Sequence, residues 1–153
     1  LGLVNLSSNN IADISPLSGL NNLQSLLLYD NNITDISPIS GLYNLIYLSL
    51  FHNNITDISA VSGLNNLQSL NLSHNNIIDI SPVSELPSLR GLYIGYNNIN
   101  DISALADLSD LVILQLDNNK IIDISALSSI NFEMPKFFDN SAFLLSKKKL
   151  FLL

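Results

Sequence analysis

The seven residues NNITDIS stand at positions 31–37 and again at positions 53–59. Near-copies of this heptapeptide occur as NNIADIS at 9–15, NNIIDIS at 75–81, NNINDIS at 97–103 and NKIIDIS at 119–125. Consecutive copies start 22 residues apart. Such spacing indicates a solenoid of stacked units. Segments so similar to one another cannot determine specificity for a partner. The residues that do so must lie elsewhere in the unit.

Apolar residues recur at fixed positions of every unit, which follows the pattern L-x-x-L-x-L-x-x-N-x-I. The units begin at Leu1, Leu23, Leu45, Leu67, Leu89 and Leu111. Only Val4 and Ile94 depart from the pattern. Positions 4 and 6 of the unit alternate with variable residues, which predicts a short strand with one buried face. Strands of successive units are expected to stack in parallel, about 4.8 Å apart.

An asparagine occupies position 9 of every unit: Asn9, Asn31, Asn53, Asn75, Asn97 and Asn119. A side-chain amide both donates and accepts hydrogen bonds, so it can satisfy backbone groups at a tight turn. Stacking of the units is therefore expected to align these amides in a ladder inside the solenoid.

The second half of each unit carries Ser followed by Pro or Ala, as in Ser15-Pro16 and Ser59-Ala60. Ser is a favoured N-cap and Pro a favoured first helical residue. The stretch is too short for a long helix, so we expect Ser to cap one 3₁₀ turn per unit on the convex side.

A column of aspartates precedes these serines: Asp13, Asp35, Asp57, Asp79, Asp101 and Asp123. A calcium stack is one interpretation, but Ca²⁺ needs six to eight oxygens and one Asp per turn supplies few. We expect each Asp to cap a turn through its own backbone. Because like charges in a column repel one another, mild acid or salt is expected to stabilise the protein.

These features predict an α/β solenoid with a parallel sheet on its concave face and short 3₁₀ turns on its convex face. The combination N-x-I-x-D-I-S-P-L-x-G-L, clearest at residues 9–26, resembles the 22-residue leucine-rich repeats of internalins. Internalins are bacterial surface proteins that grip host receptors on their concave face. The resemblance covers about residues 1–130. It implies a leucine-rich repeat horseshoe that binds a protein partner, in internalin-like adhesion or recognition.

A second resemblance gives the alternative. The repeat length is similar to that of the leucine-rich regulatory subunit of protein phosphatase 1, whose repeats lack the D-I-S-P step. The chain would then be an intracellular regulatory subunit of a protein phosphatase, or a similar scaffold. A cell-surface or secreted location is favoured over a cytoplasmic one. The chain opens on Leu1 and is interpreted as a fragment.

The chain divides into six repeats at 1–130 and a segment without the repeat at 131–153. That segment holds four of the six basic residues and five of the six phenylalanines. We interpret it as a C-terminal cap that covers the end of the core with Phe137, Phe138 and Leu144. A truncated neighbouring element is the alternative.

Composition limits the classes of function. The chain has 153 residues, is 47% hydrophobic and carries a formal net charge of −7, which does not suit nucleic acid or anionic lipid. No apolar run approaches the roughly 18–20 residues of a membrane span. The absence of cysteine excludes disulfides and thiolate metal sites. A monomer without cofactor is expected. No nucleophile elbow, phosphate-binding loop or H-E-x-x-H occurs, so no enzyme is predicted.

The variable positions 3, 5, 7 and 8 of each unit are expected to face the concave surface. Five of the six aromatic residues in 1–130 stand there, and so do both histidines. Aromatics suit strands, but exposed aromatics are also the residues enriched at interface hot spots. The predicted partner-binding residues are Tyr29, Asp30, Tyr47, Phe51, His52, His74, Tyr93, Tyr96 and Gln115. Two aromatic pads are expected, one of Tyr29, Tyr47 and Phe51 and one of Tyr93 and Tyr96, on either side of the smaller Gln68, Ser69, Asn71 and Ser73 in the fourth unit.

Position 8 holds Asp30, His52, His74 and Tyr96 in four consecutive units. Two stacked histidines beside a carboxylate could hold Zn²⁺ or make binding sensitive to pH. One column supplies too few ligands for a metal, so we expect a polar, hydrogen-bonding edge of the interface and no metal site.

Overall fold

The computed structural model of the chain describes residues 2–130. Six short strands pair in sequence order into one parallel sheet: β1 (Leu3–Asn5), β2 (Ser25–Leu27), β3 (Tyr47–Ser49), β4 (Ser69–Asn71), β5 (Gly91–Tyr93) and β6 (Ile113–Gln115). Leu26 pairs with Leu48 and Leu48 with Leu70, so the register equals the period of the sequence. Residues at one position of the repeat therefore form a row that crosses all the strands.

Six 3₁₀ turns lie on the opposite, convex side of the solenoid: η1 (Ser15–Leu17), η2 (Ser37–Ile39), η3 (Ser59–Val61), η4 (Ser81–Glu85), η5 (Ser103–Leu105) and η6 (Ser125–Ser129). Between residues 2 and 130 no helix is long and apolar enough to cross a membrane. The open parallel sheet with short turns behind it confirms the predicted fold class. The segment 131–153, interpreted as a cap or a truncated element, lies outside the described residues.

The core lies between the sheet and the turns. In the second repeat Leu26 and Leu28 enter it from the strand, and Ile33, Ile36 and Ile39 enter it from the convex half. The end of the described chain is less covered, since Ile124 is 52% exposed whereas Ile102, at the same position one repeat earlier, is 2% exposed. Each repeat is therefore buried mainly by its two neighbours, as expected for a solenoid.

The position-9 asparagines form the predicted ladder. In the third repeat, Asn53 Nδ2 donates to the carbonyl oxygens of Leu28 at 3.0 Å and Leu50 at 3.1 Å. Its Oδ1 accepts the N–H of Ile33 at 3.0 Å. One amide thus satisfies backbone groups in its own repeat and in the preceding one. The same three contacts recur at Asn31, Asn75, Asn97 and Asn119.

The convex turns are capped by aspartate, as predicted for the Asp column. Asp13 Oδ1 accepts the N–H of Ser15 at 2.8 Å, and the other five repeats have the same bond. The prediction that serine is the N-cap is wrong. Ser15 is already the first residue of η1, and Ile14 stands in the N-cap position without a side-chain bond. The carboxylate reaches the N–H two residues on in an Asx turn, so it takes the donor that a cap would satisfy.

Hydrogen bonding changes the acidity of three members of this column. The backbone N–H of the following serine, and then its hydroxyl, lowers the pKa of Asp13, Asp57 and Asp101 below the ordinary value. The fold therefore favours the ionised form of these carboxyl groups. Protonation of these three groups opposes folding, which is the opposite direction to the expected stabilisation by mild acid. The effect of acid on the whole protein stays a prediction.

A second set of amide bonds on the convex side was not predicted. Asn44 Nδ2 donates to the carbonyl oxygen of Asn21 at 2.6 Å, and Asn66 Nδ2 donates to that of Tyr43 at 2.9 Å. Both bonds link successive repeats at the connection that leads into the next strand. They reinforce the first three repeats, whereas Ser88 and Asp110 take the same position later in the chain.

Candidate protein-binding surface

The predicted site residues lie on the concave face, in the rows that the register dictates. Tyr47 and Tyr96 are 38% and 47% exposed. The rings of Tyr29, Phe51 and Tyr93 are half-buried against the sheet. His52 and Gln115 are exposed, whereas Asp30 and His74 are half-buried. Alternation of the Cβ direction along the strands accounts for Tyr47, Tyr93 and Gln115 at positions 3 and 5, whereas positions 7 and 8 lie in the turn that follows each strand.

Position 8 has an unusual backbone conformation in every repeat. The φ angles are 56° at Ser8, 54° at Asp30, 55° at His52, 56° at His74, 53° at Tyr96 and 54° at Asn118. This left-handed region is strained for most residues but is more accessible to Asn, Asp and His. The backbone therefore accounts for part of the composition of this row, although not for Tyr96. Sequence reasoning missed this constraint, and the lack of β-branched residues in the column was the available signal.

The side chains at position 8 contact one another from the second to the fifth repeat. Asp30 Oδ1 lies 2.6 Å from His52 Nδ1. The rings of His52 and His74 meet edge to face with centroids 6.1 Å apart. His74 stacks on Tyr96 with centroids 4.1 Å apart and an interplanar angle of 11°. Phe51 packs beside both imidazoles, at 5.9 Å and 5.1 Å. We call these five residues the aromatic row.

The aromatic row alters the interpretation of two separate pads. His74 belongs to the fourth repeat, whose strand was expected to offer smaller side chains between the pads. Its ring bridges Phe51 and Tyr96, so the two pads are joined at this edge of the sheet. These side chains therefore form one band across four repeats.

Small residues form the floor beside this band. The floor consists of Ser69, Asn71, Ser73, Gly91 and Gly95, and it lies on the concave positions of the fourth and fifth repeats. Asn71 Oδ1 accepts the N–H of Ser73 at 3.0 Å, which fixes this amide in place. Both glycines are buried by side chains that lean over them. The floor includes Ser69, Asn71 and Ser73 of the fourth repeat, where smaller residues were expected between the pads, and it extends to the two glycines of the fifth repeat.

Position 8 was expected to form a polar edge of the interface and not a metal site. The two alternatives require different contacts of the His and Asp side chains. Among residues 2–130 no group of three or more His, Cys, Asp or Glu side chains is placed to hold a metal ion. The nitrogen of His52 nearest a carboxylate is already bonded to Asp30. The row thus has the hydrogen bond and the ring contacts of a polar, aromatic edge.

The convex side carries shallow grooves between successive turns. One of them, between η5 and η6, has a volume of about 560 Å³ and is open to solvent. Asp101, Ser103, Asp123 and Ser125 line it. These residues belong to the capping motif of every repeat, so the groove follows from the way the repeats stack.

Comparison with known proteins agrees with the fold. The family described as leucine-rich repeats (two copies) matches residues 21–60, 43–85 and 87–129. The crystal structure of an internalin, InlF, from Listeria monocytogenes is 41% identical with a TM-score of 0.78. The match covers 84% of this chain but only 38% of InlF. The comparison with curated protein sequences gives no significant match.

Two further structures are similar. Internalin C2 of Listeria monocytogenes is 34% identical with a TM-score of 0.74, over 86% of this chain and 68% of that protein. A leucine-rich repeat protein of Leptospira interrogans is 29% identical with a TM-score of 0.77, over 96% of this chain and 40% of that one. Leucine-rich repeats are generally non-catalytic folds for protein interaction. The chain therefore belongs to the leucine-rich repeat family and has internalin-like repeats.

Proposed function

We propose that the chain binds a protein partner on its concave face, as an adhesion or recognition module of the internalin kind. The aromatic row is the observation that carries the proposal. It places exposed and half-buried rings side by side on a hydrogen-bonded sheet, where folding has no need of them. Aromatic side chains bury a large area at little cost in side-chain entropy, and they dominate binding hot spots.

Rigidity of the surface supports the same function. The strands below the row are held by the parallel ladder, and the asparagine amides bond each repeat to the one before it. The row itself is ordered by the Asp30–His52 contact and by the His74–Tyr96 stack. The entropy cost of ordering these side chains is therefore met when the chain folds and not when a partner binds. This preorganisation favours affinity.

Display on a cell surface or secretion is part of this proposal, and it rests on the similarity to internalins. The D-I-S-P step and the two internalin structures favour the adhesion module over the phosphatase regulator. The phosphatase alternative stays a prediction, and no contact in the structure favours it.

The test compares two variants with similar losses of exposed apolar surface. The concave variant changes Tyr47, Phe51, Tyr93 and Tyr96 to Ser. The convex variant changes Tyr43, Ile78 and Ile122 to Ser, which are 61%, 61% and 94% exposed. Each immobilised protein captures partners from a cell-surface extract, and quantitative mass spectrometry compares them with those of the unchanged chain.

We expect the concave variant to lose its specific partner by about 100-fold or more, since hot-spot truncations cost about 2 kcal/mol each. The convex variant should keep it. Equal capture by both variants, at matched melting temperatures, would refute binding on the concave face.

A further inference from the structure

Glycine occupies two of the four concave positions of the fifth repeat. Gly91 and Gly95 stand at positions 3 and 7, and neighbouring side chains lean over both. A Cβ at Gly91 would lie 3.4 Å from the ring of Tyr93. A Cβ at Gly95 would lie 2.5 Å from Asp117 Oδ1. A tyrosine ring and a carboxylate thus lie at the floor because glycine leaves room for them.

Two polar groups at this floor have unused hydrogen-bonding capacity. Ser73 is 6% exposed, and its Oγ is buried without a hydrogen-bond partner among the described residues. Asp117 Oδ1 is likewise buried and unpaired, while its Oδ2 accepts from Asn118 Nδ2 at 2.9 Å. Buried polar atoms are nearly always paired in native proteins, so the unpaired carboxylate oxygen points to a missing donor. The hydroxyl of Ser73 can either donate or accept a further bond.

The surroundings of the floor favour a positively charged donor. Phe51, His74 and Tyr96 border it on one side, and the ring of Tyr93 lies within it. The faces of aromatic rings carry a negative potential that attracts cations. An ionised carboxylate accepts hydrogen bonds and cannot donate them, so Asp117 also requires a donor.

The described part of the chain carries an excess of negative charge. Residues 2–130 contain eleven acidic side chains and two basic ones, Arg90 and Lys120. Arg90 precedes β5 and Lys120 follows the turn after β6, so neither stands at positions 3, 5, 7 or 8. A basic group of a partner would therefore meet complementary charge.

We propose that the partner inserts an arginine side chain at this floor, with its guanidinium beside the rings of Tyr93 and Tyr96 and its charge toward Asp117. This inference rests on the proposed function and names the chemistry of the partner. Arginine fits better than lysine because its planar group stacks on aromatic faces and offers donors to two acceptors at once. Because Gly95 has no Cβ, the carboxylate of Asp117 fits over the floor, on the side where the arginine would enter.

The experiment titrates the ¹⁵N-labelled chain with the peptide acetyl-Gly-Gly-Arg-Gly-Gly-amide and follows backbone amide shifts. The same peptide with citrulline, which is neutral and nearly isosteric, measures the role of charge. We expect saturable shifts at Ser73, Gly95 and Asn118, and at least about 5-fold weaker binding of the citrulline peptide, as for a charge-assisted hydrogen bond.

Variants assign the effect to the carboxylate. Asp117→Asn removes its charge, and Gly95→Ala keeps the charge but displaces the group. Both variants should bind the arginine peptide about 5-fold or more weakly than the unchanged chain. Asp107→Asn removes an equal charge at an exposed loop and should leave binding unchanged. Equal binding of the two peptides, or equal weakening by Asp107→Asn and Asp117→Asn, would overturn the arginine site.

The outcome is separable from that of the proposed function. If the concave variant loses its protein partner but the arginine peptide does not bind, the partner uses other chemistry and only this inference fails. If the peptide binds at the floor but the concave variant retains its partner, the proposed function fails and the arginine site stands.

Discussion

Positions 8 and 9 of each repeat are adjacent in the chain and have opposite roles. His52 is exposed, variable between repeats and held at a φ of 55°. Asn53 is buried and identical in every repeat, and its side chain bonds three backbone groups. The same tight turn therefore demands one backbone conformation at position 8 and one side chain at position 9. The positive φ at position 8 restricts the residue types without selecting a single one, so the side chain differs from repeat to repeat.

The largest test of this comparison is Asn53→Ala against Asn9→Ala. The first leaves the N–H of Ile33 unpaired inside the protein. It also removes one of the two amide donors to the carbonyl oxygens of Leu28 and Leu50, which Asn31 and Asn75 still reach. It should therefore destabilise the protein by about 2–3 kcal/mol. Asn9 is exposed and bonds only to carbonyl oxygens nearby, so its loss should cost less than about 1 kcal/mol. Urea unfolding followed by circular dichroism gives both values. Equal losses of stability in the two variants would mean that burial of the asparagine does not determine how much it stabilises the protein.

The second test addresses the backbone at position 8. Tyr96→Val and Tyr96→Gly both lose the stack on His74, so their difference isolates the conformational term. The valine variant should be less stable than the glycine variant by about 1–2 kcal/mol, because a β-branched residue resists positive φ. Thermal melts of the two proteins measure it. A valine variant as stable as the glycine variant would show that the turn relaxes to another conformation.

The third test uses acid and the carboxylates that cap the convex turns. The lowered pKa of Asp13, Asp57 and Asp101 means that the unfolded chain binds protons first as pH falls. Their contribution is fully present above about pH 4 and is lost as pH drops through the folded-state pKa. The triple Asp→Asn variant should therefore lose less stability than the unchanged chain between pH 5 and pH 3. Parallel pH profiles of the urea midpoint would contradict this.

The smallest expected effect on stability comes from the exposed pair of Asp30 and His52 at position 8. Asp30→Asn keeps a residue that tolerates left-handed backbone and removes only the charge beside His52. The two side chains are 40% and 65% exposed, so stability should change by less than about 1 kcal/mol. The same variant should still weaken partner binding if the aromatic row is the interface. A larger loss of stability would make the pair a structural element.

The periodic parts of the fold were predictable because the same residue types occupy the same positions in every repeat. Leu26, Leu28 and Asn31 recur at fixed spacing, which is enough to predict the strand, its buried face and the ladder. The capping residue was misassigned because Asp13 and Ser15 both suit a helix start. Choosing between them requires the backbone angles.

The candidate site was predictable as a face and not as a set of contacts. Alternation along the strand put Tyr47 and Tyr93 on one surface. The bridge through His74 depends on rotamers and on positive φ, which the residue types hint at but do not determine. Asp117 was missed as a candidate because its importance comes from Gly95 in the neighbouring repeat, a relation that only stacking reveals.

From the second repeat on, the side chain of each position-9 asparagine bonds to the repeat before its own. The length of the solenoid can therefore change by whole repeats. Deletion of residues 45–66, one whole period, would bring Asn75 opposite Leu28, where Asn53 now donates. The ladder would close again, and the sheet would shorten by one strand, about 4.8 Å. Tyr47, Phe51 and His52 would leave the surface together. The extent of the recognition surface can thus change by whole strands while the fold of each remaining repeat is conserved.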